Sequence, residues 1–259
     1  DNPKPLKGIR VIETGQLVAA PYAGRLLAEF GAKVIKIEPP GTGDALRKWR
    51  VIDENTNTSL WWYVQSRNKK CITLNMRVKE GQDILRQLTK EADVLIENFR
   101  PGRMEKWGLG WEILNKINPR LVMLRISGYG QTGPYKDKPG FASATEAIGG
   151  LRYVMGYPDR PPVRAGISLG DTIAALYGAF GVMIALYHRD NVSGKGQFVD
   201  TALYESVFAL MEGLIPEYDR GGVVRKRTGT TLPGITPTNS YLCSDGKYVV
   251  IGANADNIF

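Results

Sequence analysis

The sequence predicts a doubly wound α/β protein, and three observations carry that expectation. Short apolar runs alternate with amphipathic helix-length segments through the first half of the chain. The first strand, helix and strand fit within 38 residues, a spacing that demands a parallel crossover. Three of the apolar runs end on a carboxylate, at Glu13, Glu38 and Glu97, as strands do where they leave a buried sheet.

Residues 9–13 read as the first strand. Residues 21–30 read as an amphipathic helix with Pro21 at its start and Gly31 at its end, and residues 33–38 as the second strand. Gly41-Thr-Gly-Asp44 opens a polar loop that runs to Trp49. Trp61, Trp62 and Tyr63 form an aromatic cluster suited to packing rather than to stacking on bases. The alternation continues with a strand at 71–75, a charged helix at 78–91, a strand at 93–97, a helix at 103–116 and a strand at 121–126. An apolar helix at 172–187, a strand at 197–200 and a helix at 202–214 follow. From Arg220 the texture turns basic and glycine-rich. Residues 238–252 read as a β-hairpin around Ser244-Asp-Gly246, and residues 254–257 as the opening of a helix. The expected organisation is a large domain over residues 1–219, a linker over 220–237, and over 238–259 the start of a smaller domain that this chain does not complete.

With 43% hydrophobic and 23% charged residues the chain has the composition of an ordinary globular protein, and the run at 172–187 is too short to span a membrane. Cys71 and Cys243 stand alone, which argues against a disulfide framework or a zinc site and for a reducing compartment. The only histidine, His188, falls near a helix C-terminus, where a cation suits the dipole, so neither a Ser/His/Asp triad nor a metal site is expected. No signal or transit pattern opens the sequence. The expected location is cytoplasmic, with the mitochondrial matrix as the alternative for a processed N-terminus. The formal charge of +8 calls for an anionic partner.

Two glycine motifs fail their context. Gly128-Tyr-Gly-Gln-Thr-Gly133 fits the dinucleotide fingerprint, but Pro134-Tyr-Lys-Asp-Lys-Pro139 follows where a helix belongs, so the segment reads as an active-site or turn loop. Gly194-Lys-Gly-Gln197 lacks the spaced glycine and hydroxyl residue of a phosphate loop and reads as a turn. Asp171 is different. It follows Gly170 and precedes a helix built from Ala174, Ala175, Gly178, Ala179, Gly181 and Ala185, where an N-cap is expected. A capping aspartate is also a charged oxygen held rigidly at a helix head by its dipole, so both a cap and a nucleophile stay open.

These segments, taken in order, resemble the class III CoA-transferases of the CaiB/BaiF type, which include formyl-CoA, carnitine and succinyl-CoA:glutarate CoA-transferases. The resemblance runs through Leu6-Lys-Gly-Ile-Arg-Val11, Ala20-Pro-Tyr22, Phe30 to Glu38, Gly41-Thr-Gly-Asp44, Asn68-Lys-Lys70, Glu97-Asn-Phe-Arg-Pro-Gly102, Ser127 to Pro134, Gly170-Asp171 and Ser193-Gly-Lys-Gly-Gln197. It implies a Rossmann-like large domain, an interlocked homodimer, and coenzyme A and acyl-CoA as substrates with no tightly bound cofactor. By position it makes Asp171 the catalytic aspartate. It places CoA contacts at Val18, Ala19, Leu74, Asn75, Met76, Arg77, Asn98, Phe99, Arg100 and Lys106, with Arg77, Arg100 and Lys106 on its phosphates. The implied activity moves CoA from an acyl-CoA such as succinyl-CoA to a small carboxylic acid through an aspartyl anhydride, with backbone N–H groups near Gly170 to receive the oxyanion. A dicarboxylate acceptor would rest on Arg47 or Arg164.

Formyl-CoA enzymes carry Gln where Val18 stands and Arg where Pro39 stands, and their glycine-rich closing loop would fall at Gly229-Thr-Thr231, which is glycine-poor. A formyl substrate is therefore disfavoured. The related α-methylacyl-CoA racemases pair the aspartate with a histidine, where this sequence reads Gly140-Phe141-Ala142, so racemisation lacks its second proton carrier. An inactive fragment or partner is a further alternative. Binding of nucleic acid through Arg225-Lys-Arg227 and the tryptophans is a remote one, since the basic and aromatic residues lie far apart in sequence. Neither nucleic acid nor membrane is expected as a partner.

Overall fold

A computed structural model describes residues 4–255, and the second half of the expected helix opening at 254–257 lies outside them. The elements β1 (Arg10–Glu13), α1 (Ala19–Glu29) and β2 (Lys33–Glu38) form the expected crossover unit. A two-residue pair, β3 (Ile52–Asp53) and β4 (Thr58–Ser59), leads to α2 (Leu60–Gln65) and β5 (Lys69–Thr73). Then come α3 (Lys79–Thr89), β6 (Val94–Glu97), α4 (Arg103–Lys106), α5 (Trp111–Ile117) and β7 (Val122–Ser127). The chain continues with α6 (Ala142–Ile148), α7 (Leu151–Val154), α8 (Leu169–His188), β8 (Phe198–Ala202), α9 (Leu203–Phe208) and α10 (Leu214–Gly221). It ends in the expected hairpin, with β9 (Thr238–Leu242) antiparallel to β10 (Tyr248–Gly252).

Six strands build one parallel sheet in the order β5-β2-β1-β6-β7-β8, a Rossmann-like α/β arrangement. Strand order reverses between β1 and β6, and a doubly wound sheet opens its crevice at the C-terminal ends of such a pair. Alternate side chains fill two cores. Val11, Val34, Val94, Ile96, Val122 and Leu124 face α1 and α8. Ile12, Ile37, Leu95 and Met123 face the layer that contains Leu85, Met104 and Leu114. Both faces are covered, so these strands read as continuous apolar runs. Helix α8 approaches the sheet closely because it is lined with small residues. A Cβ on Gly178 would stand 3.0 Å from the Leu124 methyls.

Three expectations need correction. The helix expected at 103–116 is two, because Gly108 takes φ 63° and Arg86 donates to its carbonyl, closing α4 before α5 begins. The helix expected at 202–214 stops at Phe208, and Glu212 at φ 51° turns the chain into α10. The apolar helix is also longer than its run of apolar side chains. With the π turn that follows α8 it covers Leu169–Ser193, 25 residues, and an 18-residue window within it reaches a mean hydropathy of 1.7, enough by length and composition to cross a membrane. Ala174, Ala175, Gly178, Val182 and Leu186 instead pack one face of it into the sheet core.

The three strand-end carboxylates are buried ion-pair partners. Lys36 Nζ lies 2.8 Å from Asp44 Oδ2 and 3.2 Å from Glu13 Oε1, while Lys69 Nζ lies 2.7 Å from Glu13 Oε2. All four side chains are at most 1% exposed. Burial opposes the charge on both lysines. The two carboxylates around Lys36 outweigh it and raise that pKa, while the single one at Lys69 does not. Replacing Lys36 by Met would leave Glu13 with Lys69 alone and take from the buried Asp44 its ammonium partner. It should lower the free energy of unfolding by about 3–5 kcal/mol in urea denaturation at neutral pH. A loss under about 1 kcal/mol, typical of solvated pairs, would show that the network is not sealed.

Candidate active site

The crevice at the strand reversal is a cavity of about 500 Å³. The loop after β1 supplies Gln16, Leu17, Val18 and Ala19. The loop after β6 supplies Asn98, Phe99 and Arg100, while β7 ends on Ser127 and Gly128 follows it. Phe141 to Ser143 come from the start of α6, and Arg164, Ser168 and Asp171 from the entry to α8. Gln16 and Trp49 are shared with a second hollow of about 780 Å³ that adds Pro39, Lys48, Asn75 and Arg77. The structure thus brings Val18, Ala19, Asn98, Phe99, Arg100 and Asp171 around one space and places Asn75 and Arg77 next door. Leu74 is half-buried and packs against the core that contains Met76. Lys106, exposed at the end of α4, lines neither hollow.

The two loops at the switch point are tied to each other. Asn98 accepts the Gln16 N–H and donates to the Gln16 carbonyl, both at 2.8 Å, so its amide is occupied by the protein. Glu97, buried beneath, pairs with Arg125 and accepts the Phe99 N–H at 2.6 Å, which fixes the next residue. Burial pushes the Glu97 carboxyl up to about 7 against the pull of Arg125. Leu17 sits at φ 66°, a left-handed conformation that costs a leucine about 1–2 kcal/mol. Asp44 holds it there by accepting the Leu17 N–H at 3.0 Å. Across the cavity the chain crosses itself at two glycines, and a Cβ on Gly128 would meet Gly140 Cα at 2.6 Å.

Asp171 is not the N-cap. The helix begins at Leu169, so Asp171 is its third residue. The Gly170 N–H is taken by Glu146 of α6 at 3.0 Å, which removes it as an oxyanion donor. The carboxylate is not the permanently charged group expected from a helix head. Burial, then the nearby Glu146 carboxylate, push its pKa up to about 6, with Arg164 opposing. Of the two arginines expected to hold an acceptor, Arg47 is committed elsewhere. It makes paired bonds of 2.7 and 2.8 Å to Glu38 and lies 4.1 Å from the Trp62 ring centre. Arg164 is exposed and lines the cavity with Asp171.

Sequence reasoning missed Glu146, Trp49, Arg103, Lys136 and Lys138. Asp44 stood in a quoted motif, but nothing local marked it as the anchor of Leu17. The charged residues lining the cavity are Arg100, Arg103, Lys136, Lys138 and Arg164, against the single carboxylate of Asp171. Such a space favours ligands with several negative charges.

A raised pKa means that the fold favours neutral Asp171. That stability is full below the ordinary value near 3.8 and is lost as pH rises through about 6. Asp171→Asn, neutral throughout, should therefore gain on the natural protein across that window, by up to about 3 kcal/mol at its upper end. Melting curves of both proteins from pH 4 to 7 check this, and a constant gap between them refutes it.

The profile of CoA-transferase family III matches residues 6–259. Succinyl-CoA–D-citramalate CoA-transferase of Chloroflexus aurantiacus is 54% identical over 257 residues, 99% of this chain and 63% of that protein. The beta subunit of the same organism's succinyl-CoA–L-malate CoA-transferase is 48% identical, over 98% of this chain and 63% of that one. Human succinyl-CoA:glutarate CoA-transferase is 35% identical over all of this chain and 58% of its own length. The chain thus spans about three fifths of the length of these relatives. A crystal structure of a CAIB/BAIF family protein from Brucella suis superposes with a TM-score of 0.91 at 35% identity, over 99% of this chain and 68% of that one. The family profile spans nearly the whole chain and the fold superposes on a CAIB/BAIF structure, so the chain belongs to CoA-transferase family III.

Proposed function

We propose that this chain carries the catalytic aspartate of a CoA-transferase that moves CoA from succinyl-CoA to a hydroxylated dicarboxylic acid. One observation supports the reading above others. Asp171 lines a cation-rich cavity at the strand reversal, and that cavity shares Gln16 and Trp49 with a second hollow holding Lys48 and Arg77. A thioester reaching Asp171 would leave its pantetheine arm between the loops after β1 and β6, with its phosphates near Arg77 and Lys48. Val18, Ala19, Asn75, Phe99 and Arg100 are the proposed CoA contacts, and Asn98 ties the loop after β6 to the loop after β1.

Asp171 would attack the thioester carbonyl carbon as the C–S bond breaks, giving a mixed anhydride and CoA thiolate. The thiolate attacks the aspartyl carbonyl, releasing succinate and forming an aspartyl-CoA thioester. The acceptor carboxylate attacks that thioester and expels the thiolate. The thiolate then takes the acceptor's acyl group from the second anhydride and frees Asp171. Carboxylate nucleophiles form such intermediates. No step moves a proton, which suits a site whose chain has its one histidine, His188, at the far end of α8. Phe141 stands at the cavity wall where a racemase needs its second base, so that alternative loses its proton carrier.

The named acceptors of the relatives are D-citramalate, L-malate and glutarate. The higher identity of the first two supports a 2-hydroxy diacid, and Arg164 is the cation placed to hold its distal carboxylate. The whole enzyme is proposed as a dimer. A homodimer is favoured, and because the L-malate relatives are named as alpha and beta subunits, a mixed dimer is the other outcome of a size measurement.

Incubation with succinyl-CoA followed by borohydride should mark Asp171 in peptide mass spectra, and Asp171→Ala should lose at least about 10³-fold in transfer rate. An unmarked Asp171 with full activity in the Ala variant would end the proposal. Arg164→Ala should raise KM about 10- to 100-fold for diacid acceptors while sparing monocarboxylates. An equal effect on both classes assigns Arg164 another role.

A further inference from the structure

Glu146 takes no part in the transfer steps, yet it is sealed against the helix that carries the nucleophile. Its side chain is 1% exposed. One oxygen accepts the Gly170 N–H at 3.0 Å, and the other accepts Arg152 Nε at 3.0 Å. Gly170 is itself buried, and a Cβ there would come within 3.1 Å of Glu146 Cγ. Ser168, which flanks α8, makes no side-chain cap. The first turn of α8 is therefore capped from outside, across its contact with α6. A cap needs only an acceptor, and a neutral amide would serve. A buried charge one residue from a nucleophilic carboxylate does something more.

We propose that Glu146 is a positioning residue for Asp171: it pins the first turn of α8 through Gly170 and sets a second buried carboxylate at the helix head that carries the nucleophile. This rests on Asp171 being the nucleophile. The charged groups around Asp171 are few enough to name. Glu146 comes from α6 and Arg164 from the segment before α8. Arg152 of α7 turns to Glu146, and Arg100, Arg103, Lys136 and Lys138 line the other walls. Among them only Glu146 adds negative charge, and after burial it is the main cause that raises Asp171, with Arg164 opposing. The chemical return is basicity. A carboxylate that ionises near pH 6 is charged at pH 7, yet it binds a carbonyl carbon more strongly than an ordinary, more acidic one.

Two variants move the effect in opposite directions. Glu146→Gln keeps an acceptor for Gly170 and removes the charge. It should shift the acid limb of kcat/KM about one unit to lower pH, a tenfold gain on that limb. Arg152→Gln, at a partly exposed site, leaves Glu146 less neutralised and should shift the limb upward. The same shifts are read without catalysis from the pH at which Asp171→Asn gains melting temperature in each background. Acid limbs and melting profiles that stay in place in both variants overturn the inference. Full transfer activity in Asp171→Ala instead overturns the transfer reading, while the melting series still reports whether Glu146 and Asp171 are coupled.

Discussion

Lys36 has no access to water, and its ammonium is held by Glu13, Asp44 and the Gly15 carbonyl. Each of these partners belongs to the floor or rim of the crevice. Glu13 ends β1, Gly15 begins the loop that becomes the cavity wall, and Asp44 reaches across from the loop after β2 to fix Leu17. Breaking such a buried set by removing one charge is far more destabilising than losing a solvated pair, so the rim cannot relax without opening the floor. The left-handed Leu17 is the visible result. Its strain persists because Asp44, itself locked by Lys36, leaves that N–H no other partner.

The opposite wall is rigid for a different reason. Helix α8 meets the sheet through alanines and glycines, so its axis lies close to β7 and β8 and has little room to slide. Its first turn is then fixed by Glu146 rather than by a residue of its own. A loop wall held by ion pairs thus faces a helix wall held by packing, with the proposed nucleophile on the helix and the proposed CoA contacts on the loops. In the proposed transfer through two anhydrides the reacting groups would benefit from such fixed spacing, because effective concentration falls quickly with misplacement.

The central strands β1, β2, β6 and β7 were legible from the sequence because both faces of each are covered, which produces short apolar runs ending where the sheet meets the crevice. Asp171 stood out because a lone carboxylate beside a run of small residues is conspicuous in one dimension, although it lies in the first turn of the helix rather than at its cap. What could not be read was every role that depends on a partner far along the chain. Asn98 stands at a strand end like a ligand contact, but Gln16, 82 residues away, takes its amide. Arg47 looked free for an acceptor until Glu38 and Trp62 enclosed it. Glu146 lies inside a helix with no local signal at all, and only the packing of α6 on α8 brings it to Gly170. The break between α4 and α5 belongs to the same class, since Arg86 of α3 closes it from another element.

These tertiary contacts explain why a helix head failed here as a simple electrostatic rule. The positive end of α8 should stabilise an ionised Asp171 by a fraction of a kcal/mol to about two. Desolvation acts on the same carboxylate with the opposite sign, and a buried glutamate bonded to Gly170 consumes part of the helix's positive end before Asp171 can use it. Burial therefore wins, and Asp171 is more basic than a surface aspartate although it sits where the dipole alone would make it more acidic. The five cations lining the cavity do not reverse this, because among them only Arg164 lies close enough to oppose the shift. Their charge instead bears on whatever enters the cavity, which separates the task of attracting anionic ligands from the task of tuning the carboxylate proposed to attack them.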